Sequence, residues 1–299
     1  MHTRSSIRNH LEYLIARALR ASLAHGPRPV SDRLARVYTW LLDRAVPRLR
    51  RVAMRNLEIA MPERSAVDRR AIADGVFRSI ARMMVCFARL PRIGPDEVGQ
   101  WIRYEGYEHF TAALGKGRGV LFATAHLGNW ELSAYAHAMM SGPMHVVVRP
   151  LDNPLIDALV ESRRTASGNL MIQKKNFARG ILKALAANQA VGILIDQNTS
   201  LEEGVFVNFF GVPASANAGF AKLAARTGAA VIPGFALWSP EENRYVLKFY
   251  KPVEITGDLA ADSQRLHSQL ESVIREYPDQ WLWIHRRWKT RPPGSPSPY

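Results

Sequence analysis

Gly119–Glu131 reads GVLFATAHLGNWE. Its first seven residues form an apolar run of strand length centred on Val120, Leu121 and Phe122. His126 ends the run, and LGNW leads into a helical pattern, LSAYAHAMM. The stretch therefore reads as strand, turn and helix. It sets an imidazole at a strand's C-terminal end and the Glu131 carboxylate near the first turn of the next helix. Ligand sites in open α/β sheets gather at such strand ends. A neutral imidazole takes a proton near neutral pH, and a carboxylate on its other nitrogen fixes the tautomer and stabilises the imidazolium. His126 is expected to be a general base with Glu131 as its partner. The alternative is a packed strand-end histidine beside a glutamate that merely suits the helix dipole.

The same texture repeats on either side. WIRYEG is a strand pattern, followed by a short helix over Tyr107–Gly115. His145–Val148 is a buried strand that delivers Arg149, and Asn153-Pro154 opens a helix to about Thr165. A short strand at Met171–Gln173 and a helix at Phe177–Ala187 precede AVGILID, a strand ending at Asp196-Gln197. A long loop, EEGVFVNFFGVPASANAG, leads to a helix near Phe220–Arg226. Strands at Ala230–Leu237 and Tyr245–Phe249 and an amphipathic helix at Ala261–Glu276 complete the pattern, before QWLWIHRRWK. This alternation predicts an α/β fold, a central sheet under helical cover.

Upstream the texture is helical and basic. The net charge is +14, and residues 1–92 hold 19 Arg, no Lys and 7 acidic residues. The excess is therefore an N-terminal feature. Ile7–Ala24 puts Ile7, Leu11, Leu14, Ile15, Ala18 and Leu19 on one helical face with arginines mainly elsewhere. That pattern suits an interfacial helix or an ordinary core-facing one. Pro27 and Pro29 break it, and Ser31 or Asp32 is expected to cap a second helix. RLRRVAMRNLEIAMPE is a further basic amphipathic segment, and Ser65-x-x-Asp68 resembles a capping box opening a helix to about Ala88. Nucleic acid is a poor partner for these arginines, which alternate with aliphatic residues and lack any nucleic-acid-binding signature. An anionic membrane surface or an acidic protein fits better. No cleavable signal peptide is evident, and no apolar run is long enough to span a bilayer. Residues 1–92 are expected to form a membrane-associating helical region packed on the core. Residues 93–299 are expected to form the catalytic α/β domain.

Strand ends thus deliver His126, Arg149 and Asp196, with Glu131 just beyond the first. The chain has no G-x-S-x-G elbow, no S-x-x-K and no cysteine paired with a nearby histidine, so no covalent nucleophile is indicated. It also has no zinc motif and no phosphate-binding glycine loop, so neither a metal nor a cofactor is expected. Direct transfer suits such a site: the base deprotonates an acceptor hydroxyl, which attacks an activated acyl carbon, and a donor group stabilises the oxyanion. Arg286 and Arg287 in IHRRWK could grip phosphate, or could be a solvated basic end beside core tryptophans. Arg163-Arg164 and Lys174-Lys175 are expected on solvated faces. The lone Cys86 reads as a small core hydrophobe.

These residues resemble the bacterial lipid A biosynthesis acyltransferases, within the wider lysophospholipid and glycerolipid acyltransferase superfamily. HLGNWE is similar to the family's H-x4-D/E motif, and the likeness continues in order through VVRPLDNPLID, VGILIDQN, VFVNFFGVPA, LAARTGAAVIP and WLWIHRRWKTRP. It covers the chain from about residue 30 onward. The resemblance implies an α/β fold with a central mixed sheet and covering helices, of the glycerolipid-acyltransferase type, preceded by the basic helical region. It implies transfer of a fatty acyl chain from acyl carrier protein, or acyl-CoA, to a hydroxyl of a lipid A precursor-type glycolipid. It implies that His126 and Glu131 are the catalytic pair. The expected substrate, oxyanion or phosphate contacts are Asn129, Arg149, Asp196, Gln197, Arg286 and Arg287. The protein is expected to work at the cytoplasmic face of the bacterial inner membrane as a peripheral or monotopic enzyme. In place of the threonines usual after FFG stands Pro213–Ala218, expected to alter the acyl pocket or acceptor site. That leaves another membrane glycolipid or aminolipid as an alternative acceptor. A non-catalytic lipid-binding protein is the reading from another class.

Overall fold

The structure, a computed structural model, describes residues 5–173 and 177–299. Lys174 and Lys175 lie outside the described residues. Four helices come first: α1 (Ser6–His25), α2 (Arg28–Ala45), α3 (Pro47–Ala60) and α4 (Ala66–Arg89). The second helix begins at Arg28 rather than at a Ser31 or Asp32 cap. Pro29 falls in its first turn, where a missing N–H leaves no bond unmade. Ser31 is instead buried inside α2 and accepts a hydrogen bond from Arg89 Nη2 at 2.8 Å. The capping box of α4 forms as expected, Ser65 Oγ accepting from the Asp68 N–H at 3.1 Å and Asp68 Oδ2 from the Ser65 N–H at 3.3 Å.

The α/β part follows as α5 (Val98–Trp101), β1 (Ile102–Glu105), α6 (Tyr107–Leu114), β2 (Val120–Thr124), α7 (Trp130–Ser141), β3 (His145–Val148), α8 (Pro154–Arg164), β4 (Leu170–Gln173), α9 (Phe177–Ala186) and β5 (Ala190–Leu194). Then come β6 (Gly204–Phe209), β7 (Val212–Asn217), α10 (Gly219–Thr227), β8 (Ala230–Ser239), β9 (Arg244–Phe249) and α11 (Leu259–Glu276). Seven of these strands make one mixed sheet in the order β1-β9-β8-β2-β5-β3-β4, parallel except where β8 meets β9.

Topology decides which residues meet. The chain leaves β2 through α7 to reach β3, then returns through α9 from β4 to β5, which lies between β2 and β3. Right-handed crossovers running in opposite directions put α7 and α9 on opposite faces. Side-chain alternation follows: Val120 and Phe122 pack with Phe110, Leu132 and Tyr135, whereas Leu121 and Ala123 pack with Ile181, Phe220 and Leu223. β2 and β5 pair over five residues and β3 and β4 over four, but β5 and β3 pair only at His145↔Val191 and Val146↔Gly192. Beyond that point the sheet splits, at the strand-end crevice where α/β folds hold ligands.

The segment expected as a long loop is a hairpin, β6 paired antiparallel with β7 from Gly204↔Asn217 to Phe209↔Val212. Its turn places Phe210 at φ 55° and Gly211 at φ 77°. Val207, Phe209, Ala214 and Ala216 pack with Trp281, Trp283 and Trp288, and with Leu57, Ile72 and Val76 of α3 and α4. Helices α3 and α4 and the tryptophan segment thus share one core, while α1 and α2 pack in a separate cluster on α4. Burying each tryptophan is worth a gross ~4–6 kcal/mol before ordering entropy is subtracted.

The apolar stripe of α1 faces outward. Ile7 is 82% exposed, Leu11 59%, Leu14 58% and Ile15 52%, and α2 adds Val37 and Trp40 at 49% and 53%. Among the described residues no helix is long and apolar enough to cross a membrane.

Candidate active site

β2 and β5 run parallel in the register Thr124↔Leu194. Residues two positions past each, His126 and Asp196, therefore leave the sheet side by side. His126 Nδ1 lies 2.9 Å from Asp196 Oδ1, and the His126 backbone N–H donates to Oδ2 at 3.0 Å. The Trp281 indole N–H donates to Oδ2 at 2.8 Å. A carboxylate only accepts, so Nδ1 carries the proton and Nε2 presents a lone pair. Burial disfavours a charge on Asp196, yet the His126 charge and these hydrogen bonds hold its carboxyl well below the usual range. Burial also disfavours imidazolium, but Asp196 outweighs it and raises the His126 pKa.

The turn that aims His126 is laced to its neighbours. Leu282 N–H donates to His126 O, Gly128 N–H to Gln280 O and Asn129 N–H to Ala236 O, each at 2.9 Å. Gly128 sits at φ 64°, and a Cβ there would collide with the Ala236 carbonyl oxygen. Only glycine lets the turn pass so close over β8. Asn129 caps α7, its Oδ1 accepting from the Leu132 N–H at 3.0 Å. It is wholly buried and does not line the cavity.

Glu131 is not the group on His126 Nδ1. It takes a two-pronged grip on Arg164, with Nε to Oε2 at 2.9 Å and Nη2 to Oε1 at 2.5 Å. The expected contact fails because α7 starts past the turn, while β5 delivers a carboxylate directly beside the imidazole. Glu131 still adds to the field that raises the His126 pKa, after Asp196. Arg164, expected on a solvated face, is drawn inward by this pair, its side chain 25% exposed.

His126 faces a cavity of about 670 Å³, lined by Glu131, Arg164, Arg149, Gln197 and a largely apolar wall. Arg149 lies exposed at its rim beside Leu151. Gln197 Nε2 stands 3.4 Å from His126 Nε2, so its amide N–H donates a long hydrogen bond to the unprotonated ring nitrogen. Arg286 and Arg287 do not reach the cavity. Arg287 is wholly buried over the Phe209 ring and donates to Ser215 O, and Arg286 lies over Tyr299. Their backbone follows the buried tryptophans into the core. Of Pro213–Ala218, Asn217 is the residue that lines the cavity, because Ala214 and Ala216 point into the core. Arg164 and Trp281 are site residues that sequence reasoning missed. No spacing links either to its partner, since the contacts span 33 and 85 positions.

A family model described as "Bacterial lipid A biosynthesis acyltransferase" matches residues 2–290. The chain belongs to this family. It is therefore an acyltransferase. It is 32% identical over 277 residues to the lipid A biosynthesis lauroyltransferase of Escherichia coli (strain K12), covering 91% of this chain and 90% of that one. It is 32% identical over 253 residues to the lipid A biosynthesis palmitoleoyltransferase of the same organism, covering 83% and 81%. A lipid A biosynthesis acyltransferase of Haemophilus influenzae is 28% identical over 272 residues, covering 89% and 86%.

Proposed function

We propose that the protein moves a fatty acyl chain from acyl carrier protein, or acyl-CoA, to a hydroxyl of a lipid A precursor-type glycolipid, with His126 as general base. The observation that carries this reading is the His126–Asp196 contact, which leaves Nε2 unprotonated and facing a largely apolar cavity. Nε2 takes the proton of the acceptor hydroxyl as its oxygen attacks the thioester carbonyl. The tetrahedral intermediate collapses with loss of the thiolate, which recovers the proton from the imidazolium. Asp196 stabilises that imidazolium, and the Gln197 amide N–H is placed to donate to the oxyanion. The acyl group passes directly, with no acyl-enzyme. Glu131 acts through its field on His126 and by fixing Arg164, and exposed Arg149 meets acceptor phosphate at the rim.

Residues 1–92 serve as the membrane-associating region and residues 93–299 as the catalytic part. The exposed stripe of α1 lies on the bilayer, beside the cavity mouth: Asn153, which opens α8 just past Arg149 and Leu151, donates from Nδ2 to Asn9 O and Glu12 Oε2, each at 3.0 Å. The glycolipid then reaches His126 from the cytoplasmic face of the inner membrane, past Leu151. The excess of arginine suits both an anionic bilayer and an acidic carrier protein.

The test is acyl transfer from loaded acyl carrier protein to a lipid A precursor in vesicles, followed by mass spectrometry. His126→Ala should lower turnover by roughly 10²–10⁴-fold. Wild-type turnover in that variant would sink the mechanism, and an unchanged glycolipid with the intact protein would sink the acceptor.

A further inference from the structure

The cavity has two apolar arms, and they lie on opposite faces of the sheet. One set of its lining residues, Phe122, Tyr135, Met144, Leu247 and Phe249, belongs to the core on the α7 face. Another, Val147, Phe177, Ile193, Phe220 and Leu223, belongs to the core on the α9 face. A single cavity reaches both because β5 and β3 part after Val146↔Gly192.

The two arms differ in closure. In the α7-face arm Phe122 is 6% exposed, His137 3%, Met144 5%, Leu247 2% and Phe249 5%, so the arm is walled off at its inner end. In the α9-face arm Phe220 and Leu223 are buried to a similar degree, at 5% and 7%, but Val147, Phe177, Ile193 and Ile195 are only half-buried, so this side has the more exposed wall. Length can be measured only against an end wall. Phe122, Thr124 and His126 line the closed arm at two-residue intervals along β2 and its extension. Four residues of extended chain span ~13 Å. An extended alkyl chain advances about as far per bond as extended backbone, so the span corresponds to on the order of twelve chain bonds.

Resting on the acyl-transfer reading above, we infer that the closed α7-face arm holds the transferred acyl chain and that Met144, seated over Gly192, sets its length, while the more exposed α9-face arm takes a hydrocarbon chain of the acceptor. The Met144 tip occupies the space that a side chain at 192 would fill: a Cβ on Gly192 would come 2.8 Å from Met144 Cε. The thioether is unbranched and adaptable, so it moves rather than breaks the strand. His137 completes the wall as a neutral group, its pKa pushed down to about 4 by burial. Its ring meets Phe110 and Phe122 edge-on, at centroid distances of 4.8 and 5.3 Å. A chain one methylene too long must displace this wall, and one too short leaves a void. Pockets of this kind discriminate by about 10–200-fold per methylene.

The experiment gives the full-length protein a competing set of saturated acyl chains of graded length on acyl carrier protein, with one acceptor, and reads the product ratios. The wild type should favour chains of on the order of twelve carbons. Met144→Ala should move the optimum up by about two carbons, and Gly192→Ala, which drives Met144 into the arm, should move it down, each changing neighbouring product ratios at least ~10-fold. Phe220→Ala, in the α9-face arm, should alter KM for the acceptor and leave the donor ratios in place. Transfer with donor ratios unmoved by either closed-arm variant overturns the inference alone, and so do donor ratios that follow Phe220. Absence of transfer from every donor by the wild type overturns the acyl-transfer reading and the inference with it.

Discussion

Asp196 Oδ1 lies 2.9 Å from His126 Nδ1, although the two residues are 70 positions apart. The contact follows from the parallel register of β2 and β5, and it assigns the proton to Nδ1. Replacing Asp196 by Asn removes the charge and offers the ring an amide that can stabilise the other tautomer. Turnover of Asp196→Asn should fall by roughly 10³–10⁴-fold.

On the proposed mechanism the same pair sets the pH dependence. A general base at His126 must be neutral, and its pKa is raised: burial acts against the charge, but Asp196 outweighs it. As pH falls through that raised pKa, kcat/KM should be lost, with the acid limb above the ordinary histidine value of about 6.5. In Asp196→Asn the residual activity should show its acid limb at lower pH. An unmoved limb would assign it to another group.

Glu131 and Arg164 should behave as a unit. Glu131→Gln leaves a guanidinium in the cavity wall without its carboxylate, and Arg164→Met leaves the carboxylate without its cation. Each single change should cost about 1–3 kcal/mol in urea unfolding, and the double variant less than the sum. Additive losses would mean that the pair is not coupled.

Gly128 and Gly117 make a matched comparison. Both have positive φ, 64° and 72°, but a Cβ on Gly128 would meet the Ala236 carbonyl, whereas one on Gly117 would have nothing within 4 Å. Gly117→Ala should cost about 1–2 kcal/mol, the expense of the left-handed backbone alone. Gly128→Ala should cost roughly 3 kcal/mol or more and displace His126, so thermal melts and turnover should separate the two.

The exposed stripe of α1 predicts vesicle binding. Serine at Leu11, Leu14 and Ile15 together should weaken sedimentation with anionic vesicles by at least ~10-fold while leaving the melting temperature in place. These side chains are 59%, 58% and 52% exposed, so the fold loses little by their change. Unaltered vesicle binding would move the membrane contact elsewhere.

Most strands and helices are legible in the chain because apolar runs and amphipathic periods are local properties. Arg149 and Asp196 are legible as strand-end residues for the same reason. Strand neighbours are not local. That β5 inserts between β2 and β3 is what makes Asp196, and not Glu131, the partner of His126. The hairpin at β6–β7 had a readable alternation at Val205, Val207 and Phe209, but asparagine, glycine and small residues blurred it into a loop. Arg286 and Arg287 were misleading because charge suggests exposure, while the tryptophans around them carry their backbone inward.

The lacing of the His126 turn to residues 280–282 has a consequence for synthesis. Asp196 gets its indole partner, and the His126 carbonyl its backbone donor, from Trp281 and Leu282. A nascent chain that has emerged only as far as β9 holds the base, the carboxylate and the cavity walls, but not the clamp that orients them. Such long-range closures form late. On the proposed mechanism, the orientation of His126 and Asp196 is therefore completed only when the tryptophan segment docks.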